Sequence, residues 1–535
     1  MRPWWKDAVV YQVYPKSFRD ASGDGVGDIC GIIEKLDYLA DLGIDCLWVS
    51  PIFQSPMADN GYDVSDYKSV APQFGAIRDV DRLIEQAHQR GIRLVLDFAL
   101  NHTSTAHPWF QEAQSPSSAH RDWYIWRDGR GDGPPNNWRS IFGGSAWSRI
   151  GEQYYLHLFD RTQADLNWEN PKVRAAIHEA MRFWLDRGID GYRLDVVSVI
   201  SKPDGLPDAA DHRHGPFYGM LADGPRLHAY LRELHQEVFA GRDCVAIGEA
   251  PGVDPSRAAR LVDPSDPMLD MIYHFDLVEP VRGPDGDWDR VALKKVFSDW
   301  DRGIGPRGWN TTVLSNHDLG RLVSRFGDEA LRVESAKALA TLVLLQRATP
   351  FIYQGDELGL VNCPFQTISD LNDVWAQTTY RLKLAQSADP DAAFQAALRI
   401  TRDHARTPFP WTSDAGAGFT QAARPWLMLH PNASTVNAAA QASDPHSPQT
   451  FIKQLIALRR GDDLWRTGEF LDLMPSDDSV FLFERRLGAR RGRVAINLRS
   501  APAVLPDCAG LGACLHSYAS PPAHMLRPWE CVVWT

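Results

Sequence analysis

Short apolar runs rich in β-branched and aromatic residues recur along the chain up to residue 357, with amphipathic segments between many of them. The runs are AVVYQVYP (8–15), CLWVSP (46–51), RLVLDFAL (93–100), GYRLDVV (191–197), CVAIGEA (244–250), MIYHFDL (271–277), TTVLSNHD (311–318) and PFIYQGDE (350–357). Helix-like segments, DRLIEQAHQRG (81–91) and VRAAIHEAMRFWLDRG (173–188), stand before the third and fourth runs. Eight strands that alternate with helices predict an α/β fold, a (β/α)8 barrel.

Three further regions surround these strands. Residues 102–172 are polar, rich in Trp and too long for a loop, which predicts a small domain inserted after strand three. The barrel would then comprise 1–101 and 173–461, with a helical subdomain at about 358–450 after strand eight. The tail, 462–535, contains SVFLFERRL, RVAINL and ECVVWT, which predict a C-terminal all-β domain, a β-sandwich.

Composition narrows the class of protein. The net charge is −12 without a Lys/Arg cluster, which argues against nucleic acid or an anionic membrane as a partner. Seven scattered cysteines without CxxC spacing favour neither a zinc site nor a disulfide framework. The N-terminal MRPWWKDAVVYQ lacks the apolar segment of a secretory signal, and no run reaches about 18 apolar residues. We therefore expect a cytoplasmic protein of undetermined oligomeric state.

Charged residues gather at the predicted carboxyl ends of the strands, where such barrels carry their active sites. Strand four places Arg193 and Asp195 on one face, strand five ends at Glu249, and strand seven ends at Asp318. The Arg193–Asp195 pair alone is typical of a structural ion pair. Three carboxylates at one barrel mouth instead suit glycoside hydrolysis, which needs a nucleophile and a proton donor. The third carboxylate would raise the pKa of the proton donor by charge repulsion.

Four segments, DFALNH (97–102), GYRLDVV (191–197), GEA (248–250) and SNHD (315–318), resemble the signature regions of the α-amylase family of glycoside hydrolases, family 13. The likeness is strongest to its oligo-1,6-glucosidase and dextran glucosidase members, and supporting segments run from DNGYDVSDY (59–67) to TRDHARTPFPW (401–411). The resemblance implies a retaining, exo-acting α-glucosidase that acts on non-reducing ends of short α-glucoside oligosaccharides, with possible transglucosylation and no catalytic cofactor.

The same resemblance implies a role for each site residue. Asp195 would be the nucleophile, Glu249 the general acid/base and Asp318 the transition-state stabiliser. Val196, directly after the nucleophile, accompanies α-1,6 preference in relatives, although one methyl group is typically worth only about 1–3 kcal/mol of discrimination. The implied substrate-binding residues are Asp59, Tyr62, His102, Gln163, Arg193, Val196, His317 and Arg402.

A metal loop is the remaining motif. DASGDGVGD (20–28) alternates oxygen donors in a glycine-containing loop, as hard cations require, and resembles a calcium loop of the family. An EF-hand would need Glu at position 12, where this chain has Gly31. A plain acidic turn is the alternative, and a bound Ca²⁺ would stabilise rather than catalyse. The candidate ligands are Asp20, Ser22, Asp24, the Val26 carbonyl and Asp28.

Several other functions share these motifs. An α-1,4-preferring α-glucosidase or transglucosylase stays open. A sucrose isomerase is disfavoured because LGRLVSRFGDE (319–329) lacks the arginine-rich loop of that class. A trehalose-6-phosphate hydrolase is disfavoured because EAPGV (249–253) differs from its Ser/Thr-rich segment. An inactive glucosidase-like binding protein is disfavoured because all three carboxylates are present.

Overall fold

The computed structural model describes residues 2–278, 287–506 and 511–535, without the side chains of 214–216. Its central sheet has eight parallel strands in the order 6-5-4-3-2-1-8-7, and a parallel bridge from Ile272 to Asn310 joins the sixth to the seventh. The predicted (β/α)8 barrel is therefore confirmed as a nearly closed barrel. Its strands are β1 (Val10–Val13), β2 (Cys46–Val49), β3 (Arg93–Ala99), β4 (Gly191–Asp195), β5 (Val245–Glu249), β6 (Met271–Tyr273), β7 (Thr311–Thr312) and β8 (Thr349–Tyr353).

Helices cover the barrel and form most of the region after β8. The helix before β3, Ile77–Gln89, begins earlier than expected because the Asp79 carboxylate accepts the Ala76 N–H at 2.9 Å and caps its first turn. The other helices include Pro15–Phe18, Ile29–Glu34, Leu36–Leu42, Pro108–Ala113, Pro171–Leu185, His214–Leu221, Leu227–Leu234, Pro255–Leu261, Arg290–Ile304, Leu322–Phe326, Arg332–Leu344, Val374–Ser387, Pro390–Ile400, Asp403–Arg406, Ala438–Ala442, Pro448–Gly461 and Asp463–Thr467.

Strand β7 is shorter than the sequence predicts. Only Thr311–Thr312 pairs in the ladder, and the predicted continuation to 318 leaves the sheet. Side-chain hydrogen bonds replace the ladder there: Asn316 donates to the Tyr273 hydroxyl at 3.0 Å and accepts the Asp318 N–H at 2.9 Å. The resulting turn, and not a strand end, presents Asp318.

The segment between β3 and Pro171–Leu185 forms a small unit over the barrel mouth. Strands Trp126–Asp128, Gln153–Leu156 and Trp147–Ile150 make an antiparallel sheet in that order, and His102–Ser104 pairs with Gln163–Asp165. Its apolar core is continuous with Val196. The unit therefore packs directly on the residue that follows β4.

The C-terminal sheet domain is confirmed. Five antiparallel strands follow the order Glu469–Asp472, Val480–Leu487, Arg490–Asn497, Cys531–Trp534 and Ala513–His516. The C-terminal region also contains a two-stranded pair, Ala503–Val504 with Met525–Leu526. A second such pair, Phe53–Gln54 with Asp66–Val70, lies outside this domain, between β2 and β3.

The six described cysteines are free thiols, whereas Cys508 lies outside the described residues. Within the described ranges no helix combines the length and apolarity that a membrane crossing requires.

Candidate active site

A cavity lies at the carboxyl ends of β4 and β5, beneath the inserted unit. It brings together the three predicted catalytic carboxylates and all the predicted substrate-binding residues except Arg193 and His317. Its walls are Asp59, Tyr62, His102, Ile141, Phe142, Phe159, Gln163, Asp195, Val196, Tyr218, Glu249, Pro251, Phe275, Asp318, Leu319, Trp375 and Arg402.

Arg193 lies behind this wall, completely buried, and contacts three carboxylates. Its Nη1 donates to Asp97 Oδ1 at 2.9 Å and to Asp195 Oδ1 at 2.7 Å, and its Nη2 donates to Glu249 Oε1. The register places Arg193 beside Asp97 on β3, which explains the first contact. A buried guanidinium group requires hydrogen-bond acceptors, and these contacts hold the three carboxyl groups close together around Arg193.

The environment separates the protonation states of Glu249 and Asp195. Burial raises the pKa of Glu249 well above its ordinary value, although the positive charge of Arg193 acts in the opposite direction. The negative charge of Asp195 raises this pKa further. Burial raises the pKa of Asp195 only to about 6, because Arg193 offsets part of the effect. Burial thus pushes the pKa of Glu249 well above its ordinary value, which suits a proton donor, while Asp195, with a pKa of about 6, is mostly ionised at neutral pH.

Asp318 stays ionised for a different reason. Burial opposes its ionisation, but the positive charges of Arg402 and Arg406 outweigh burial and hold the pKa of Asp318 below its ordinary value. Arg406 Nη2 lies 2.9 Å and Arg402 Nη1 3.4 Å from Asp318 Oδ1. Arg406 is not among the residues predicted from the sequence, although it lies in the TRDHARTPFPW segment that carries Arg402.

His317 is a buried, neutral side chain behind the cavity. Burial lowers its pKa to about 3, and its ring stacks on Tyr62 with the ring centroids 5.2 Å apart. The Tyr62 hydroxyl donates to Asp97 Oδ2 at 2.8 Å, so His317 Nε2, 2.6 Å away, donates to that hydroxyl and Nδ1 accepts from Gln12 Nε2 at 2.7 Å. Both ring nitrogens are thus engaged within the protein, and the implied contact of His317 with sugar stays a prediction.

Polar side chains joined by hydrogen bonds close one side of the cavity. Arg402 Nη2 lies 2.6 Å from Asp59 Oδ1 and 2.6 Å from Asp373 Oδ1. Gln163 Nε2 lies 3.1 Å from Asp59 Oδ2 and 3.1 Å from His102 Nε2. Burial lowers the pKa of His102 to about 4, so its ring is neutral. This side offers the mixed donors and acceptors that sugar hydroxyls need.

Apart from Tyr62, the aromatic walls of the cavity were not predicted. They come from distant parts of the chain: Phe142 and Phe159 from the inserted unit, Tyr218 and Phe275 from segments after β4 and β6, and Trp375 from the helix Val374–Ser387. The aromatic richness of the insert was a signal, but no spacing distinguishes residues that face the cavity from those that fill the core.

The predicted metal loop is organised by hydrogen bonds to its carboxylates. Asp20 accepts the N–H groups of Gly23 and Gly25 at 2.6 and 2.8 Å, and Asp28 accepts those of Ser22 and Gly31 at 2.9 and 2.6 Å. Among the described residues no group of three or more His, Cys, Asp or Glu side chains is arranged to hold a metal ion. Calcium binding by the loop stays a prediction.

Comparisons with known proteins identify the family. A family model for the α-amylase catalytic domain matches residues 12–468. The chain belongs to the α-amylase family. The predicted membership of this glycoside hydrolase family, and with it the prediction of an enzyme, is confirmed.

Named relatives of the α-amylase-family chain cover almost all of it. It is 44% identical to an oligo-1,6-glucosidase of Parageobacillus thermoglucosidasius over 523 residues, 95% of this chain and 92% of the relative. It is 42% identical to a trehalose-6-phosphate hydrolase of Escherichia coli K12, over 99% of this chain and 98% of the relative. The solved trehalulose synthase of Pseudomonas mesoacidophila MX-45 superposes with a TM-score of 0.95 at 40% identity, covering 100% of this chain and 99% of that one.

Proposed function

We propose that this protein is a retaining α-glucosidase that removes glucose from the non-reducing end of short oligosaccharides and prefers α-1,6 bonds. The observation that carries the proposal is the placement of Asp195 and Glu249 at one cavity, both in contact with Arg193, where burial raises the pKa of Glu249 well above its ordinary value. One guanidinium contacts both groups, and this closeness favours a retaining arrangement, in which the carboxyls lie about 5–5.5 Å apart, over an inverting one at about 6.5–9.5 Å.

The reaction proceeds in two displacements. A carboxylate oxygen of Asp195 attacks C1 of the glucose while the bond from C1 to the leaving oxygen breaks, and Glu249 gives its proton to that oxygen. The product is a covalent β-glucosyl ester on Asp195. The Glu249 carboxylate then takes a proton from water, whose oxygen attacks C1 and frees Asp195. Two inversions at C1 release α-glucose, with Asp318 remaining ionised to bind ring hydroxyls.

The closed side of the cavity supports attack at a chain end. Arg402 joins Asp59 to Asp373, and its guanidinium carbon lies 4.8 Å from the Phe142 ring centroid. A glucose held between Asp59 and Asp195 would meet this barrier on the side away from the scissile bond. The substrate would therefore enter with its non-reducing end first.

The charge of the cavity favours neutral sugars. A phosphorylated substrate, like that named for the Escherichia coli relative, needs cationic donors that are free to bind its phosphate. Among the lining residues of the described chain the arginine is Arg402, which already pairs with Asp59 and Asp373. We therefore prefer isomaltose-type oligosaccharides over sugar phosphates.

The linkage preference rests on Val196 and is tested together with the mechanism. Purified enzyme is given equal isomaltose and maltose, and proton NMR follows both sugars and the first-formed glucose anomer. We expect α-glucose first and faster loss of isomaltose. Faster loss of maltose would overturn the linkage preference alone, whereas β-glucose first would overturn the role of Asp195. A parallel sample with sucrose tests isomerisation, which would appear as a new disaccharide in place of free glucose and fructose.

Variants test the two carboxyl roles. We expect Asp195→Asn and Glu249→Gln each to reduce kcat by at least about 10³-fold, because residues that act as a catalytic unit are each required. Asp41→Asn, at a side chain 70% exposed, is the matched control and should retain activity. Near-normal turnover in either catalytic variant would contradict the proposal.

We also propose that the enzyme works in a reducing compartment, the cytoplasm. Its support is the free state of all six cysteines that the structure describes. Cell fractionation with an antibody to the chain tests the location, and recovery outside the cytoplasm would contradict it.

A further inference from the structure

Two residues of the cavity wall, Asp59 and Tyr62, are the first and fourth residues of one tight turn. The Tyr62 N–H donates to the Asp59 carbonyl at 3.1 Å, which closes the turn. The central residues, Asn60 and Gly61, have φ angles of 51° and 109°. An Asn-Gly pair with positive φ is typical of type I′ turns. The directions of both wall side chains therefore depend on the conformation of this turn.

The turn is tightly enclosed. A Cβ atom on Gly61 would lie 3.1 Å from the Pro51 carbonyl oxygen, so the turn packs closely against that segment. On its first side the buried Asp63 carboxylate accepts the N–H groups of Ala58 and Asp59, each at 3.0 Å. These hydrogen bonds fix the backbone that leads into the turn. A different residue contacts Asn60, at the tip of the turn.

Lys16, in the short helix after β1, reaches that tip. Its Nζ donates to Asn60 Oδ1 at 2.8 Å, and it lies 4.0 Å from the centroid of the Trp426 ring. The side chain is buried and does not line the catalytic cavity. A buried ammonium ion on an aromatic face is a fixed donor, because both the hydrogen bond and the cation–π contact restrict it.

Trp426 is itself anchored, so Lys16 rests on a firm surface. The Trp426 backbone N–H donates to the Gly25 carbonyl at 2.9 Å, and its indole N–H donates to Ser17 Oγ at 3.1 Å. A continuous set of contacts therefore runs from Trp426 through Lys16 and Asn60 to the two ends of the turn.

We propose that Lys16 is a positioning residue for glucose binding: its ammonium ion holds Asn60 and thereby the turn that presents Asp59 and Tyr62 to the sugar. This rests on the proposed α-glucosidase function. Asp59 and Tyr62 meet the sugar in both the ground state and the transition state, so their displacement weakens both alike. Loss of such uniform binding raises KM and leaves kcat almost unchanged.

The test compares Lys16→Met with Lys16→Arg and with a matched control, Lys337→Met. Lys337 is another buried lysine, whose Nζ donates to the Ser517 carbonyl at 2.9 Å and lies 5.6 Å from the Phe451 ring, away from the cavity. For Lys16→Met we expect KM for isomaltose and Ki for glucose to rise about tenfold, because one hydrogen bond to a charged group is lost. The kcat of this variant should stay within about twofold of the wild-type value. Lys16→Arg should restore most of the affinity, and Lys337→Met should leave KM and Ki unchanged.

Asn60→Gly tests the same hydrogen bond from the side of its acceptor. Glycine keeps the positive φ of the turn but removes the acceptor for Lys16. It should raise KM as Lys16→Met does, and combining the two should add nothing further. Additive effects, unchanged KM and Ki in Lys16→Met, or an equal rise in Lys337→Met would each overturn the proposal. A wild-type enzyme without α-glucosidase activity would instead overturn the proposed function, before any variant is compared.

Discussion

At the scale of single residues, one guanidinium group contacts three carboxyl groups. Arg193 is completely buried and contacts Asp97, Asp195 and Glu249. Burial disfavours the charged form of each acid, and one guanidinium offsets this cost only in part, so the pKa of Asp97 rises to about 7 and that of Asp195 to about 6. The carboxyl groups of this site therefore keep their protons to a higher pH than free carboxyl groups do, which suits acid catalysis.

The pKa of Asp195 predicts the acid limb of the activity profile. The nucleophile acts when ionised, and its ionised fraction falls as the pH drops through about 6. We expect kcat/KM to fall about tenfold per unit below that pH, while Asp318, whose pKa is lowered, stays ionised. Initial rates at low substrate concentration measure this. An acid limb near the ordinary value of an aspartate, about 3.9, would show that no desolvated carboxylate acts as nucleophile.

Val196 combines backbone strain with a place in the cavity wall. Its φ of 38° is uncommon for a β-branched residue, and its N–H donates to Glu249 Oε2 at 2.7 Å. We expect Val196→Thr, which preserves the branched shape and backbone, to shift the ratio of kcat/KM for isomaltose and maltose toward maltose by about tenfold. Competition between the two sugars measures the ratio, with Val199→Thr, at a buried site outside the cavity wall, as control. An unchanged ratio would remove Val196 as the determinant.

At the scale of elements, the loop 20–28 concentrates three carboxylates, and a cation would relieve their repulsion. We expect excess Ca²⁺ to raise Tm, a chelator to lower it, and kcat at low temperature to stay constant. Asp24→Asn should abolish the difference, since Asp24 is the exposed carboxylate of the loop. Equal Tm values in calcium and chelator would mean that the N–H groups alone satisfy these carboxylates.

At the scale of the whole molecule, a buried arginine attaches the C-terminal sheet to the barrel. Arg485, on the strand Val480–Leu487, donates to the Leu345 carbonyl just after the helix Arg332–Leu344 and to the carbonyls of Trp465 and Gly468. Beside it Arg459, in the helix Pro448–Gly461, donates to the Leu344, Gln346 and Ala348 carbonyls. These carbonyls have no intrahelical donors, so the arginines satisfy them. The sheet and barrel should therefore unfold together.

Arg485→Met tests this attachment. It removes the arginine donor of the Leu345 and Gly468 carbonyls, each loss costing about 1–3 kcal/mol, so we expect the free energy of unfolding to fall by about 3 kcal/mol. Urea denaturation followed by far-UV circular dichroism and by tryptophan fluorescence measures the loss and shows whether one transition persists. Arg490→Met, at a side chain 55% exposed, should change stability by no more than about 1 kcal/mol. A loss equal to that control, or separate transitions in the wild type, would contradict the shared unfolding.

The sequence by itself determined the barrel, the C-terminal sheet and the acidic cluster, because these depend on local periodicity and on the rule that parallel strands end at a common edge. Motif resemblance added the family. Only the tertiary structure decided that Arg193, predicted to pair with Asp195, also contacts Asp97 and Glu249, that β7 ends early so that a turn presents Asp318, and which aromatic residues besides Tyr62 face the cavity. It also brought Lys16, Asn60 and Trp426 together from three separate segments. Such contacts join residues tens to hundreds of positions apart, and no local pattern of hydrophobic and polar residues encodes them.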